Sequence, residues 1–213
     1  MRKKKSKQNN FWFDVAKWTA AIPMIIFFRP KKYYPFGKPS QKGKMIVSAN
    51  HVGPLDCVKV CFVFPWRRLW TVTRKECFET PFANWLFRAI NCLPIDRENL
   101  SMDTYHEILT LLKKDKMVLF FSEGRLNLQD NNVREYKMGT AFFAALSNAP
   151  IVPIYIVRRG KYLQRTHIIV GEEIQIRDYC KGMPSMTELE EINEIIRKKE
   201  CELEEWKNEH LGK

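Results

Sequence analysis

Apolar residues along the chain recur at two spacings, and the spacings separate strands from helices. Residues 45–50, MIVSAN, form a short β-branched run that leads into HVGPLD, where Gly53-Pro54 breaks regular structure. The pattern then predicts a helix over 56–62, a strand over 69–73 and a helix over 81–90 with Phe82, Leu86 and Ile90 on one face. Residues 92–95 read as a short strand ending in Asp96-Arg97. Over 100–114 an amphipathic helix carries Ile108, Leu111 and Leu112 on its apolar side, with Ser101 as the candidate cap. MVLFF, residues 117–121, is apolar at every position, as a central strand covered on both faces should be. A helix of small residues over 139–147 and strands over 151–157 and 166–170 follow. A long charged helix from 187 to 211 shows a stripe of Leu189, Ile192, Ile195 and Ile196 and no functional signal, so it reads as packing.

Strands that alternate with helices predict an α/β fold with a mostly parallel central sheet flanked by helices. In such sheets ligands bind beyond the carboxyl ends of the strands. His51, Arg97 and Glu123 all follow predicted strands directly, so position alone nominates them as a site.

Charge divides the chain in two. Residues 1–44 hold twelve Lys/Arg against one acid, Asp14, while the remaining 24 basic and 23 acidic groups nearly cancel. Residues 11–28, FWFDVAKWTAAIPMIIFF, lie between basic flanks, but Asp14, Lys17 and Pro23 interrupt them as a membrane span. No small-residue cleavage site follows, which argues against a signal peptide. The expected division is a membrane-associating helical arm over 1–32 and a domain over 33–213, with 33–43 as a turn-rich linker. The arm is expected in the bilayer interface on the cytoplasmic face, peripheral or shallowly inserted. Its alternative is an amphipathic helix that covers the domain. A neutral body without an aromatic-studded basic face argues against nucleic acid as the partner.

His51 and Asp56 would point about 140° apart on a regular helix, but the Gly53-Pro54 turn can fold the carboxylate back onto one ring nitrogen. The second nitrogen is then free to take a proton from a hydroxyl. No GxSxG elbow or cysteine nucleophile accompanies the pair, so the hydroxyl is expected on a substrate. The six cysteines form no CxxC pair and read as reduced, half-buried small hydrophobes. His51 with Cys57 and Cys61 makes a poor zinc set, and no metal is expected. Gly124 permits close approach of backbone to a ligand, and Arg97 and Arg125 offer planar forks of donors to a phosphate.

Five segments in order resemble the glycerolipid acyltransferases, the 1-acyl-glycerol-3-phosphate acyltransferase family. They are Asn50-His51 with Asp56, CLPIDR at 92–97, FSEGR at 121–125, YKMG at 136–139 and APIVPIYI at 149–156. The resemblance implies that His51 is the general base, with Asp56 orienting it. It also implies that Arg97, Glu123, Gly124, Arg125 and Lys137 shape the acceptor site, and that Pro153 helps to build the acyl region. The partners it implies are a membrane lipid surface, a lysophospholipid acceptor, and an acyl thioester of acyl carrier protein or coenzyme A; no cofactor is needed. One departure stands out. The commoner third segment has Pro before the Glu and Arg after Gly-Thr, whereas Ser122 and Leu126 occupy those positions and Arg125 follows Gly124 directly. That form resembles some lysophosphatidylethanolamine-type acyltransferases, which leaves the head group open between lysophosphatidate and another lysophospholipid. A non-catalytic membrane-surface module with a structural His–Asp pair is the reading from another class.

Overall fold

The computed structural model describes residues 14–15, 19, 26, 29–96, 101–122, 124, 136–158, 165–180 and 182–212. Seven strands form one sheet: β1 (Lys31–Tyr33), β2 (Met45–Ala49), β3 (Leu69–Arg74), β4 (Cys92–Ile95), β5 (Met117–Phe121), β6 (Ile151–Ile156) and β7 (His167–Val170). Their order across the sheet is β1-β7-β6-β2-β5-β3-β4, and every pairing is parallel except β6 with β7. Among the described elements, five helices connect or cover them: α1 (Asp56–Val63), α2 (Pro81–Ala89), α3 (Met102–Lys113), α4 (Gly139–Ser147) and α5 (Met186–Leu211). The mostly parallel α/β sandwich expected from the alternation is the fold observed.

Side-chain alternation sends successive residues of β2 and β5 to opposite faces, all of them apolar except Ser48. Met45, Val47 and Ala49 join Met117 and Leu119 in a core with Val60, Val63 and Phe64 from the α1 side. Ile46, Val118 and Phe120 face the other way, into a core with α3, α4 and α5. Both strands are therefore covered on both faces, as parallel central strands must be.

Three helix-to-strand returns share one device. Asn91, Asp115 and Asn148, after α2, α3 and α4, have φ of 61°, 55° and 49°. Asn and Asp tolerate this left-handed conformation better than other non-glycine residues, so each stops a helix and turns the chain back to a strand. Ser101 caps α3 by accepting from the Thr104 N–H at 3.2 Å.

One expectation differs from the structure. Lys31 and Lys32, read as the tail of the arm, and Tyr33, read as linker, form the edge strand β1 beside β7. Their pairing runs through the backbone, so a three-residue segment with two exposed lysines and a half-buried tyrosine carries no apolar alternation to betray it. The apolar face of α2 points outward, with Phe82 70% and Leu86 38% exposed, because this helix flanks the edge strand β4. The arm lies largely outside the described residues. Of its described residues, Asp14 bonds Arg68, just before β3, at 3.0 Å from Nε to Oδ1. Among the described residues no helix is long and apolar enough to cross a membrane.

Candidate active site

β2 delivers His51 two residues beyond its carboxyl end, and the turn at Val52–Leu55 then starts α1 at Asp56. That turn closes the pair: His51 Nδ1 lies 3.0 Å from Asp56 Oδ2. The backbone N–H groups of Val52 and Gly53 also donate to Oδ2, each at 2.7 Å. A carboxylate in the first turn of a helix further gains from the helix dipole.

Lys59 occupies the remaining carboxylate oxygen, with Nζ 2.7 Å from Asp56 Oδ1. Both charges are buried, the Lys59 side chain at 8% exposure and Asp56 at 0%. Burial pushes the Asp56 pKa up, but the hydrogen bonds and the Lys59 charge outweigh it and hold the carboxyl below its usual 3.8. Asp56 is therefore a carboxylate at neutral pH. An acceptor-only group at Nδ1 requires the proton there, so Nε2 carries the lone pair of the neutral ring.

Two further contacts aim the imidazole. Phe121, the last residue of β5, stacks on it with ring centroids 4.0 Å apart and planes 18° from parallel. Asn50, fully buried, donates from Nδ2 to the Ile156 carbonyl at 3.0 Å and accepts the Ile156 N–H at Oδ1 at 2.7 Å. The residue before His51 is thereby stitched to the end of β6 on its other side. Two cysteine thiols are held in their protonated form. Burial and the neighbouring Asp56 charge push the Cys57 thiol up to about 11, and burial pushes Cys92 up to about 12. All six cysteines are free, and among the described residues no cluster of His, Cys, Asp and Glu could hold a metal.

The other candidates divide by location. Arg97, Glu123 and Arg125 lie outside the described residues. Gly124 adopts φ +63°, and its N–H donates to the Phe121 carbonyl at 2.9 Å, a turn suited to glycine at the end of β5. Lys137 is exposed, and its N–H donates to the Ser122 carbonyl at 2.9 Å, so it stands beside the β5 exit. Pro153 is buried mid-strand in β6 against Gly171, where an added Cβ would come within 2.7 Å of the Pro153 ring. It shapes the strand there rather than joining the pair at the carboxyl end of β2. Lys59 and Asn50 were not among the sequence candidates. Their signal was available for Lys59, which shares the buried stripe of α1 with Asp56, Val60 and Val63.

Comparison with known proteins places this geometry in context. Residues 29–157 match the family model described as Acyltransferase. The chain is 28% identical over 127 residues to N-acylphosphatidylethanolamine synthase of Arabidopsis thaliana, covering 54% of this chain and 44% of that protein. It is 23% identical over 158 residues to the chloroplastic 1-acyl-sn-glycerol-3-phosphate acyltransferase BAT2 of Brassica napus, covering 73% and 45%. To the lyso-ornithine lipid O-acyltransferase of Rhodobacter capsulatus it is 25% identical over 200 residues, covering 87% and 66%. The chain thus spans less than half the length of the two plant relatives. The fold superposes on the crystal structure of the 1-acyl-sn-glycerophosphate acyltransferase PlsC of Thermotoga maritima with a TM-score of 0.61. That match is 18% identical and covers 97% of this chain and 84% of the other.

Proposed function

Because the chain belongs to the acyltransferase family, through a match that spans residues 29–157, we propose that it acylates the free hydroxyl of 1-acyl-glycerol-3-phosphate to give phosphatidic acid. The observation that carries this reading is the His51–Asp56 contact at the carboxyl end of β2, with Nδ1 committed to Asp56. In the proposed reaction Nε2 takes the acceptor hydroxyl proton as the oxygen attacks the thioester carbonyl carbon. The tetrahedral intermediate collapses with cleavage of the C–S bond. The imidazolium then returns its proton to the departing thiolate of acyl carrier protein or coenzyme A. No covalent acyl-enzyme and no metal are required. Arg97, Glu123, Gly124, Arg125 and Lys137 are assigned to the acceptor phosphate and glycerol.

A second acceptor class, another lysophospholipid such as lysophosphatidylethanolamine, is favoured by Ser122 and by Arg125 directly after Gly124. The relatives, too, differ in the lipid that their names carry. The enzyme is proposed to work at the cytoplasmic face of a membrane, where its lipid substrates partition. The basic excess of residues 1–44 supports that placement.

One assay tests the reading. Purified protein is offered labelled acyl-coenzyme A or acyl carrier protein with lysophosphatidate, lysophosphatidylethanolamine or glycerol phosphate. Transfer to lysophosphatidate is expected, and His51→Ala should lower kcat by at least about 10³-fold, with melting and vesicle binding unchanged. Transfer at the wild-type rate by that variant would remove the general-base role.

A further inference from the structure

On the opposite face of the sheet from the His51–Phe121 stack, α5 presents a buried carboxylate. Glu200 is 2% exposed; its Oε2 accepts from the Tyr136 hydroxyl, and its Oε1 faces the hydroxyls of Ser48 and Ser122. Tyr136 Oη lies 2.8 Å from Oε2, and Ser122 Oγ 3.4 Å from Oε1. The two serine hydroxyls also lie within hydrogen-bond distance of each other, so their two protons are shared among the three oxygens of Ser48, Ser122 and Glu200 Oε1. Packing gives no reason for an acid here. Glu200 continues the stripe of Leu189, Ile192 and Ile196 toward Leu203, where an apolar residue would fill the space without a desolvation cost.

The partners give the reason. Ser122 is the first residue past β5, and it is held through every polar group. Its N–H donates to the Ala49 carbonyl at 3.3 Å, and its carbonyl accepts the Lys137 N–H. Tyr136 is held twice by α5, through its hydroxyl to Glu200 and through its carbonyl from Asn193 Nδ2 at 3.1 Å. Glu200 thus fastens together both anchors of the segment between β5 and α4, at Ser122 and at Tyr136. A proline at 122 would bring neither the hydroxyl for Glu200 nor the N–H for Ala49. The dyad, in contrast, is held by its own bonds from Val52, Gly53 and Lys59.

We propose that Glu200 is a positioning residue for acceptor binding: it fixes the β5 exit and the Tyr136–Lys137 anchor that together frame the head-group site. This rests on the acyltransferase reading above. Loss of Glu200 loosens the frame and weakens acceptor binding, while the dyad keeps its chemistry.

Steady-state kinetics of the full chain with lysophosphatidate as acceptor and acyl-coenzyme A as donor test it, for wild type, Glu200→Gln, Ser122→Ala, Tyr136→Phe and the Ser122→Ala/Glu200→Gln double variant. Gln keeps one accepting oxygen and turns the other into a donor. Acceptor KM should rise about tenfold in Glu200→Gln, the loss of about one buried hydrogen bond. Donor KM and kcat should stay within about twofold, and the double variant should be no worse than Glu200→Gln alone. A fall in melting temperature with unchanged acceptor KM would overturn the proposal. So would an unchanged acceptor KM in both Ser122→Ala and Tyr136→Phe, variants that remain informative if Glu200→Gln does not fold. If the wild-type chain acylates no lysophospholipid, the functional reading fails and this inference with it; if wild type is active and acceptor KM does not respond, only this inference fails.

Discussion

Asp56 bonds His51, Val52, Gly53 and Lys59 at once, and its protonation state bears on the stability of that turn. Its folded pKa lies below 3.8, so the folded state binds the Asp56 proton less tightly than the unfolded chain does. The stability this contributes is fully present above that value and is lost as pH falls through the lowered one. Asp56→Asn should remove this segment of the acid-unfolding curve. At pH 7 it should also destabilise by about 3–5 kcal/mol, because Lys59 is left buried without its counter-charge. Denaturant titrations of both proteins from pH 2 to 7 would show it. Parallel curves would mean that the carboxylate is not ionised in the fold. The Gly53-Pro54 turn made the contact of His51 with Asp56 conceivable from sequence, and the five ordered segments, rather than the pair alone, gave it weight. The sequence pattern hid Lys59 because a lysine in a helix is ordinarily solvated, and only its register with Val60 and Val63 marked it as buried.

Among the elements, those with a strong period were readable to within a residue or two: β4, β5 and α4 begin and end where the apolar pattern puts them. β1 was not, since backbone pairing with β7 leaves no trace in Lys-Lys-Tyr. α5 was found but understood only as packing. Its Ile195 is partly buried, and the true stripe runs on through Glu200 to Leu203. A carboxylate on the apolar line of a helix is the signal that was missed, obscured by the many glutamates on the exposed faces. The start of α5 is separable from this role. Ser185 and Glu188 form a capping box, with the Glu188 N–H donating to Ser185 Oγ at 3.2 Å and the Ser185 N–H to Glu188 Oε2 at 2.8 Å. Ser185→Ala should cost about 1 kcal/mol in thermal or denaturant unfolding and leave acceptor KM unchanged, since Glu200 lies several turns further on. A KM shift in that variant would tie the cap to the site.

For the whole molecule, the division of charge is the property with the largest reach. With the basic excess gathered in residues 1–44 and the rest near neutral, attraction to anionic lipid should act through one end of the chain. Removing residues 1–28 should abolish co-sedimentation with vesicles of phosphatidylglycerol and phosphatidylcholine. Binding of the full chain should weaken between about 50 and 500 mM salt. Undiminished binding of the truncated protein would move the lipid contact onto the domain, where the exposed face of α2 would be the next place to look.

The Glu200 contacts also impose a temporal order on the making of this protein. Ser48 and Glu200 stand 152 positions apart, and α5 follows every strand of the sheet in sequence. On the ribosome, His51 and Asp56 emerge together and can close their turn while most of the sheet is still unmade. The grip on the β5 exit waits for α5 to dock. A nascent chain therefore can close the His51–Asp56 turn early, and it gains the contacts of Glu200 with Ser48 and Ser122 only after α5 has emerged.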